Sequence, residues 1–249
     1  MPALEPSLLV PLAIAAFVLG AAKTSFPSAG VVVVPFLAAY LGARTALGIL
    51  MPIYVFADLV AITSYRHGIQ LRTALRLLPG TIAGVVVGVI VGNHLNAHVF
   101  NRVLGAVILV TVILSLVWRG DASNLTGRVP RWAVPPIGVT AGFATMIGNS
   151  AGPVVNLYLI LGGLTKEAFV GTASVFYFMM NFSKIPLHLW VWHSVGPEMF
   201  VFSALVLPAA IVGTFAGRWL LPRVPANTFR VIVLSLTAAA ALRLLIAPG

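Results

Sequence analysis

Apolar residues run along this chain in long continuous stretches, without the period-two alternation of half-buried strands. Three such stretches in the first half, about residues 46–64, 77–95 and 103–118, and three in the second, about 168–190, 199–221 and 231–247, predict membrane-crossing helices. Each set is preceded by two pieces too short to cross on their own. In the first half these are 8–22 and 31–41, split by SFPSAGVVV (25–33); in the second they are 133–146 and 154–161, split by IGNSAGPV (147–154). A hydrocarbon core of ~30 Å needs ~20 helical residues. Short apolar segments broken by Gly and Pro at matching places in two halves point to a transporter's binding site.

The two breaks share Ser-Ala-Gly, at Ser28–Gly30 and Ser150–Gly152. Further along, Pro79, Gly84 and Gly88 match Pro208, Gly213 and Gly217 at one constant offset, and Phe100 then matches Phe229. The chain is therefore a duplication. Arginines orient its halves, because basic residues gather in cytoplasmic loops. Arg66, Arg72 and Arg76 follow the first full span, and Arg119, Arg128 and Arg131 occupy the connector between halves. The equivalent loop of the second half, VWHSVGPE (191–198), has no Lys or Arg and is expected outside, whereas Arg218, Arg223 and Arg230 gather inside. The halves then face opposite ways. The predicted fold is an all-α integral membrane protein of two inverted-topology repeats, each a broken or re-entrant helix pair plus three transmembrane helices. Repeat one covers 1–119, the cytoplasmic connector 120–131 and repeat two 132–249, with both termini periplasmic.

Composition supports this picture. The chain is 60% hydrophobic and 8% charged, against ~25% charged in soluble proteins. A net charge of +10 could suggest nucleic acid, but the arginines sit in short loops where orientation accounts for them, and no nucleic-acid partner is expected. Cysteine is absent, which excludes disulfides and thiolate metal sites. The start, MPALEPS, lacks the basic run of a signal peptide. Enzymatic constellations are missing: the five histidines form no HExxH, and there is no phosphate loop, nucleophile elbow or dinucleotide fingerprint. No catalytic residue, metal or cofactor is expected.

The candidate site is built around the breaks. Ser28 and Asn149 or Ser150 suit the N-cap of the short helix that follows each break. Two helix N-termini meeting at the midplane would offer N–H groups and positive dipole ends to an anion. Thr24, Ser25, Ser28, Asn149 and Ser150 add side-chain donors. Lys23, just before the first break, is either a snorkelling lysine or an anion counter-ion, and the same choice applies to Lys184 beside Asn181 in the 168–190 span. Asp58 is the carboxylate well inside a full span, aligned by the repeat with Asn181. It is either one side of a salt bridge to Lys23 or Lys184, or a protonatable coupling residue. Gly80, Gly84, Gly88 and Gly92 form one helix face for close packing within the fold, with a homodimer seam as the alternative. Trp118, Trp132, Trp190, Trp192 and Trp219 are expected as interfacial anchors.

Three stretches resemble the TauE/SafE family of sulfite and organosulfonate anion exporters, a likeness that extends over nearly the whole chain. They are SAGVVVVPFLAAYLG with its counterpart NSAGPVVNLYLILGG, then PIYVFADLVAITSYRHGIQLRTALRLLPGTIAGVVVG, then Asn181 and Lys184 in FMMNFSKIP. The first break, KTSFPSAG, carries less glycine than is usual in the family. The resemblance implies a bacterial inner-membrane carrier of a small sulfur-containing or carboxylate anion. The expected function is secondary transport, by alternating access and with proton coupling through Asp58, of an anion such as sulfite or an organosulfonate. Expected partners are a small inorganic or organic anion and membrane lipid. The alternatives are a passive anion channel, an uptake carrier, and a membrane-embedded enzyme.

Overall fold

The computed structural model describes residues 8–25, 30, 33–94, 129–162, 164, 166–193 and 196–220, with single positions between 99 and 113 and between 223 and 246. Ser28, His98, most of the connector, and most of the spans expected at 103–118 and 231–247 lie outside the described residues.

Among the described residues all regular structure is helical. The helices are α1 (Leu9–Ser25), α2 (Val33–Leu41), α3 (Ala43–Ser64), α4 (Leu71–His94), α5 (Val134–Gly148), α6 (Gly152–Leu161), α7 (Lys166–Pro186) and α8 (Pro197–Leu220). In hydrocarbon each backbone group must be satisfied within the protein, and a helix does so within its own segment. Three helices contain stretches long and apolar enough to cross a membrane: Thr45–Ser64, Leu71–Gly92 and Met199–Leu220. By contrast α1 and α5, with 17 and 15 residues, extend about 25 Å or less at ~1.5 Å per residue. Each is followed at once by a helix of nine or ten residues. Both broken pairs are thus present where the hydropathy breaks place them, although α1 continues through Ser25, one turn past the apolar run.

One loop is shorter than expected. The arginine-rich stretch 65–76 was read as connecting chain, but α4 begins at Leu71 and carries Arg72 and Arg76 on its exposed side. Ala74 and Leu77 on the same turns are buried, and Leu, Arg and Ala are all good helix formers. The Gln70 carbonyl accepts the N–H groups of Thr73 and Ala74, and the Gln70 N–H donates to Thr172 Oγ1. An amphipathic turn with a fixed start extends the helix beyond its apolar core.

The helices pair across the chain. α1 lies along α8, and α4 lies along α5. Small residues set both approaches: a Cβ on Gly84 would collide with the Val139 carbonyl, and one on Gly213 with the Phe17 carbonyl. Gly142 faces Thr81 and Gly20 faces Ala210 in the reciprocal direction. Backbone contact of this kind replaces the hydrophobic drive that lipid does not supply. The glycine face of α4 is therefore used for packing inside the fold. At its end Gly92 rests on the Trp192 ring, so Trp192 is buried and is not the anchor expected of it. Trp132, Trp190 and Trp219 are exposed as anchors should be.

Between these outer pairs α3 packs on α7. The spanning stretch of α3 is 61% buried against 33% for those of α4 and α8, which makes α3 central and the other two lipid-facing. On their outer sides α4 presents Ile82, Val86 and Ile90, and α8 presents Val201, Leu205, Val212 and Phe215. This is a membrane protein, and among the described residues its buried charges, Lys23, Asp58 and Lys184, lie at the α3–α7 seam.

Candidate functional site

Four helices bring one polar cluster together at the α3–α7 seam. Lys23 comes from the last turn of α1, Asp58 from α3, Asn181 and Lys184 from one face of α7, and Thr145 with Asn149 from the end of α5. Lys23, Asp58, Thr145, Asn181 and Lys184 are all buried.

The carboxylate of Asp58 is gripped through both oxygens. Lys23 Nζ donates to Oδ1 at 2.6 Å, and Asn181 Nδ2 donates to Oδ2 at 2.8 Å. The salt bridge from Lys23 is thus formed, and Lys23 does not snorkel. Its ammonium also sits 4.4 Å from the ring centroid of Tyr177 and 5.2 Å from that of Tyr54, within reach of both negative ring faces.

Lys184 does not snorkel either; its residue is 0% exposed. Its ammonium donates to Asn149 Oδ1 at 2.7 Å, to Thr145 Oγ1 at 2.9 Å and to the Thr145 carbonyl at 3.1 Å. All three acceptors are neutral, and together they use its three protons. The carbonyl belongs to the C-terminal turn of α5, where the helix dipole favours a cation. Among the described residues Lys184 has no carboxylate within salt-bridge distance. In their ordinary ionisation states the described residues of the cluster carry two ammonium groups and one carboxylate, which is paired with Lys23 alone, an excess of one positive charge.

The break after α5 shows how this is built. Asn149 takes the left-handed conformation, φ 51° and ψ 31°, which Asn tolerates better than most residues. That turn ends the helix and points the Asn149 carboxamide back at Thr145 and Lys184. Ser150 likewise turns back, with both its N–H and its hydroxyl donating to the Ala144 carbonyl. The N-cap role expected of Asn149 or Ser150 is therefore corrected: both close the helix before the break. Asn and Ser suit either end of a break, and composition did not say which.

Thr24 and Ser25 stand apart from the charged cluster. Thr24 Oγ1 donates to the Thr214 carbonyl at 2.8 Å, joining α1 to α8, and Ser25 Oγ donates to the Ala21 carbonyl at 2.6 Å. Both hydroxyls are engaged with backbone. Ser28 lies outside the described residues.

Three residues were missed in the sequence. Thr145 receives Lys184, and Tyr54 and Tyr177 flank Lys23. The signal for Thr145 was present, since the offset that joins Ser28 to Ser150 also joins Lys23 to Thr145. Likewise, the offset that joins Asp58 to Asn181 joins Tyr54 to Tyr177. Tyr54 also reaches the first break: its hydroxyl donates to the Gly30 carbonyl at 3.5 Å.

A protein-family model described as sulfite exporter TauE/SafE matches residues 12–244. The match covers almost the whole chain, and the chain belongs to that family. Among curated proteins and among solved structures, nothing matches it.

Proposed function

We propose that this member of an anion-exporter family is a secondary transporter that carries a small anion, sulfite or an organosulfonate, out across the bacterial inner membrane. The observation that carries the reading is the pair of buried lysines beside a single carboxylate between the two broken helices, of which only Lys23 is paired with it. Burying an ammonium costs several kcal/mol unless it is paired. Lys184 is held by neutral groups only, which leaves the cluster short of one anion. An intramembrane cation in such a setting marks an ion or substrate path.

The two halves are inverted repeats, and several features support this. α1 against α8 and α4 against α5 are the same packing made twice, with the partners exchanged between halves. Asp58 and Asn181, equivalent by the repeat, touch directly, as residues beside a two-fold axis do. Alternating access then follows as one half rocks against the other around the cluster. Both termini lie in the periplasm on this topology.

Asp58 is the coupling residue. While ionised it holds Lys23; once it takes a proton, Lys23 is released to the anion. The substrate anion thereby takes the place of the Asp58 carboxylate on the Lys23 ammonium while the proton stays on Asp58, and Lys184 with Asn181 completes the anion's surroundings. Asn149 and Thr145 keep Lys184 in position, and Ser150 holds the break. Thr24 and Ser25 support the end of α1 rather than touching the ion. Ser28 adds a donor at the first break.

Thermal stabilisation of the purified protein by a panel of anions tests the reading, since a ligand that binds only the folded state raises its stability with occupancy. Sulfite or a sulfonate should raise the melting temperature in a saturable way. No response to any anion would refute it. A carrier, unlike a passive channel, also accumulates the anion against its gradient when a proton gradient is imposed.

A further inference from the structure

Among the described residues, the Tyr177 side chain borders the Lys23 pair and its hydroxyl has no hydrogen-bond partner. The Asp58 carboxylate has two donors, Lys184 has three acceptors, and Tyr54 has the Gly30 carbonyl. Tyr177 is 6% exposed, and its hydroxyl is buried with no hydrogen-bond partner among the described residues. A buried hydroxyl left unpaired costs about 1–3 kcal/mol. Such a group in an otherwise satisfied network calls for an explanation.

Its position supplies one. Tyr177 lies one turn before Asn181 on α7 and stands over Lys23 Nζ. Lys23 Nζ, against its ring, and Asn181 Nδ2, one turn along α7, are already occupied by a two-oxygen anion, the Asp58 side chain. That carboxylate shows what an incoming anion meets when it replaces Asp58: an ammonium for one oxygen and an amide N–H for a second. A third oxygen would have the Tyr177 hydroxyl as its donor.

We propose that Tyr177 is a specificity-determining ligand of the transported anion, donating its O–H to a third oxygen that sulfite and sulfonates possess and carboxylates lack. This rests on the anion-site reading above and adds to it the selection of a three-oxygen head group. Tyr54, the repeat counterpart of Tyr177, does not serve in this way because its hydroxyl is already bonded to the Gly30 carbonyl. The duplicated tyrosines have therefore diverged, one to structure and one to recognition.

The test uses methanesulfonate and acetate, which carry the same single charge and differ in the number of oxygens. Their affinities for the purified full-length protein are measured by calorimetry, with wild type, Tyr177→Phe and Tyr54→Phe. A hydrogen bond to a charged acceptor supports a discrimination of about tenfold or more. Wild type should prefer methanesulfonate, and Tyr177→Phe should reduce that preference by about tenfold while leaving acetate affinity unchanged. Without ligand, Tyr177→Phe should melt at the wild-type temperature or above, because no hydrogen bond is lost; Tyr54→Phe should melt lower. An unchanged preference in Tyr177→Phe overturns the proposal. So does a lower melting temperature of that variant without ligand, which would reveal a protein partner for the hydroxyl. If wild type binds neither anion, the failure lies with the anion site itself, and this inference falls with it.

Discussion

Asp58 and Asn181 are separated by 123 residues and joined by a 2.8 Å hydrogen bond. On the proposed repeat they occupy corresponding places in the two halves, so that a position would meet its own copy. One copy is a carboxylate and the other its neutral relative. The difference breaks the symmetry of the seam and directs Lys23 towards the first half's residue.

The Lys23–Asp58 pair should be costly to break and cheap to replace. Asp58→Ala leaves a buried ammonium without its counter-ion and should destabilise the fold by about 3–5 kcal/mol. The double variant Lys23→Met with Asp58→Leu should recover most of that loss, as apolar substitutes for buried ion pairs often do. Denaturation midpoints of wild type, Lys23→Met, Asp58→Leu and the double, combined as a cycle, give the coupling. An additive result would contradict the pairing.

Asn149 serves Lys184 in two ways that two variants separate. Asn149→Gly keeps the left-handed turn but removes the Oδ1 acceptor, whereas Asn149→Ala disturbs both. Transport should fall in both variants. The melting temperature should fall further in Asn149→Ala, by the equivalent of about 1 kcal/mol for the unfavourable backbone.

The reciprocal helix pairs make a prediction about assembly. Gly84→Val and Gly213→Val place a branched side chain against the Val139 and Phe17 carbonyls respectively. Each should cost 1–3 kcal/mol or more (about the range for overpacking). Loss of the monodisperse peak in gel filtration of detergent-solubilised protein checks this, with Gly196→Ala as a control, since no atom lies within 4 Å of a Cβ at that glycine.

How much of this was legible without coordinates depends on the kind of signal. The broken pairs could be read because Gly and Pro interrupt apolar runs that are otherwise continuous, and because the interruption occurs twice. Asp58, Lys23 and Lys184 could be read because a charge inside an apolar span is costly wherever it ends up. Their partners were harder. That Lys23 binds Asp58 while Lys184 binds the end of α5 depends on how four helices are rotated, which hydropathy does not report. The caps were misread for a related reason: Asn149 and Ser150 suit the end of one helix as well as the start of the next. Tyr54, Thr145 and Tyr177 passed as ordinary span residues, although the repeat offsets that joined Asp58 to Asn181 and Ser28 to Ser150 would have singled out all three.

The central claim is that the excess positive charge of this cluster receives the transported anion. The direct test is radiolabelled sulfite flux into proteoliposomes, comparing wild type with Lys184→Met, which keeps the length and apolar stem of the side chain. Saturable flux in wild type and background flux in a variant that still purifies as a monodisperse protein is the predicted result. Undiminished, saturable sulfite flux through Lys184→Met would contradict it.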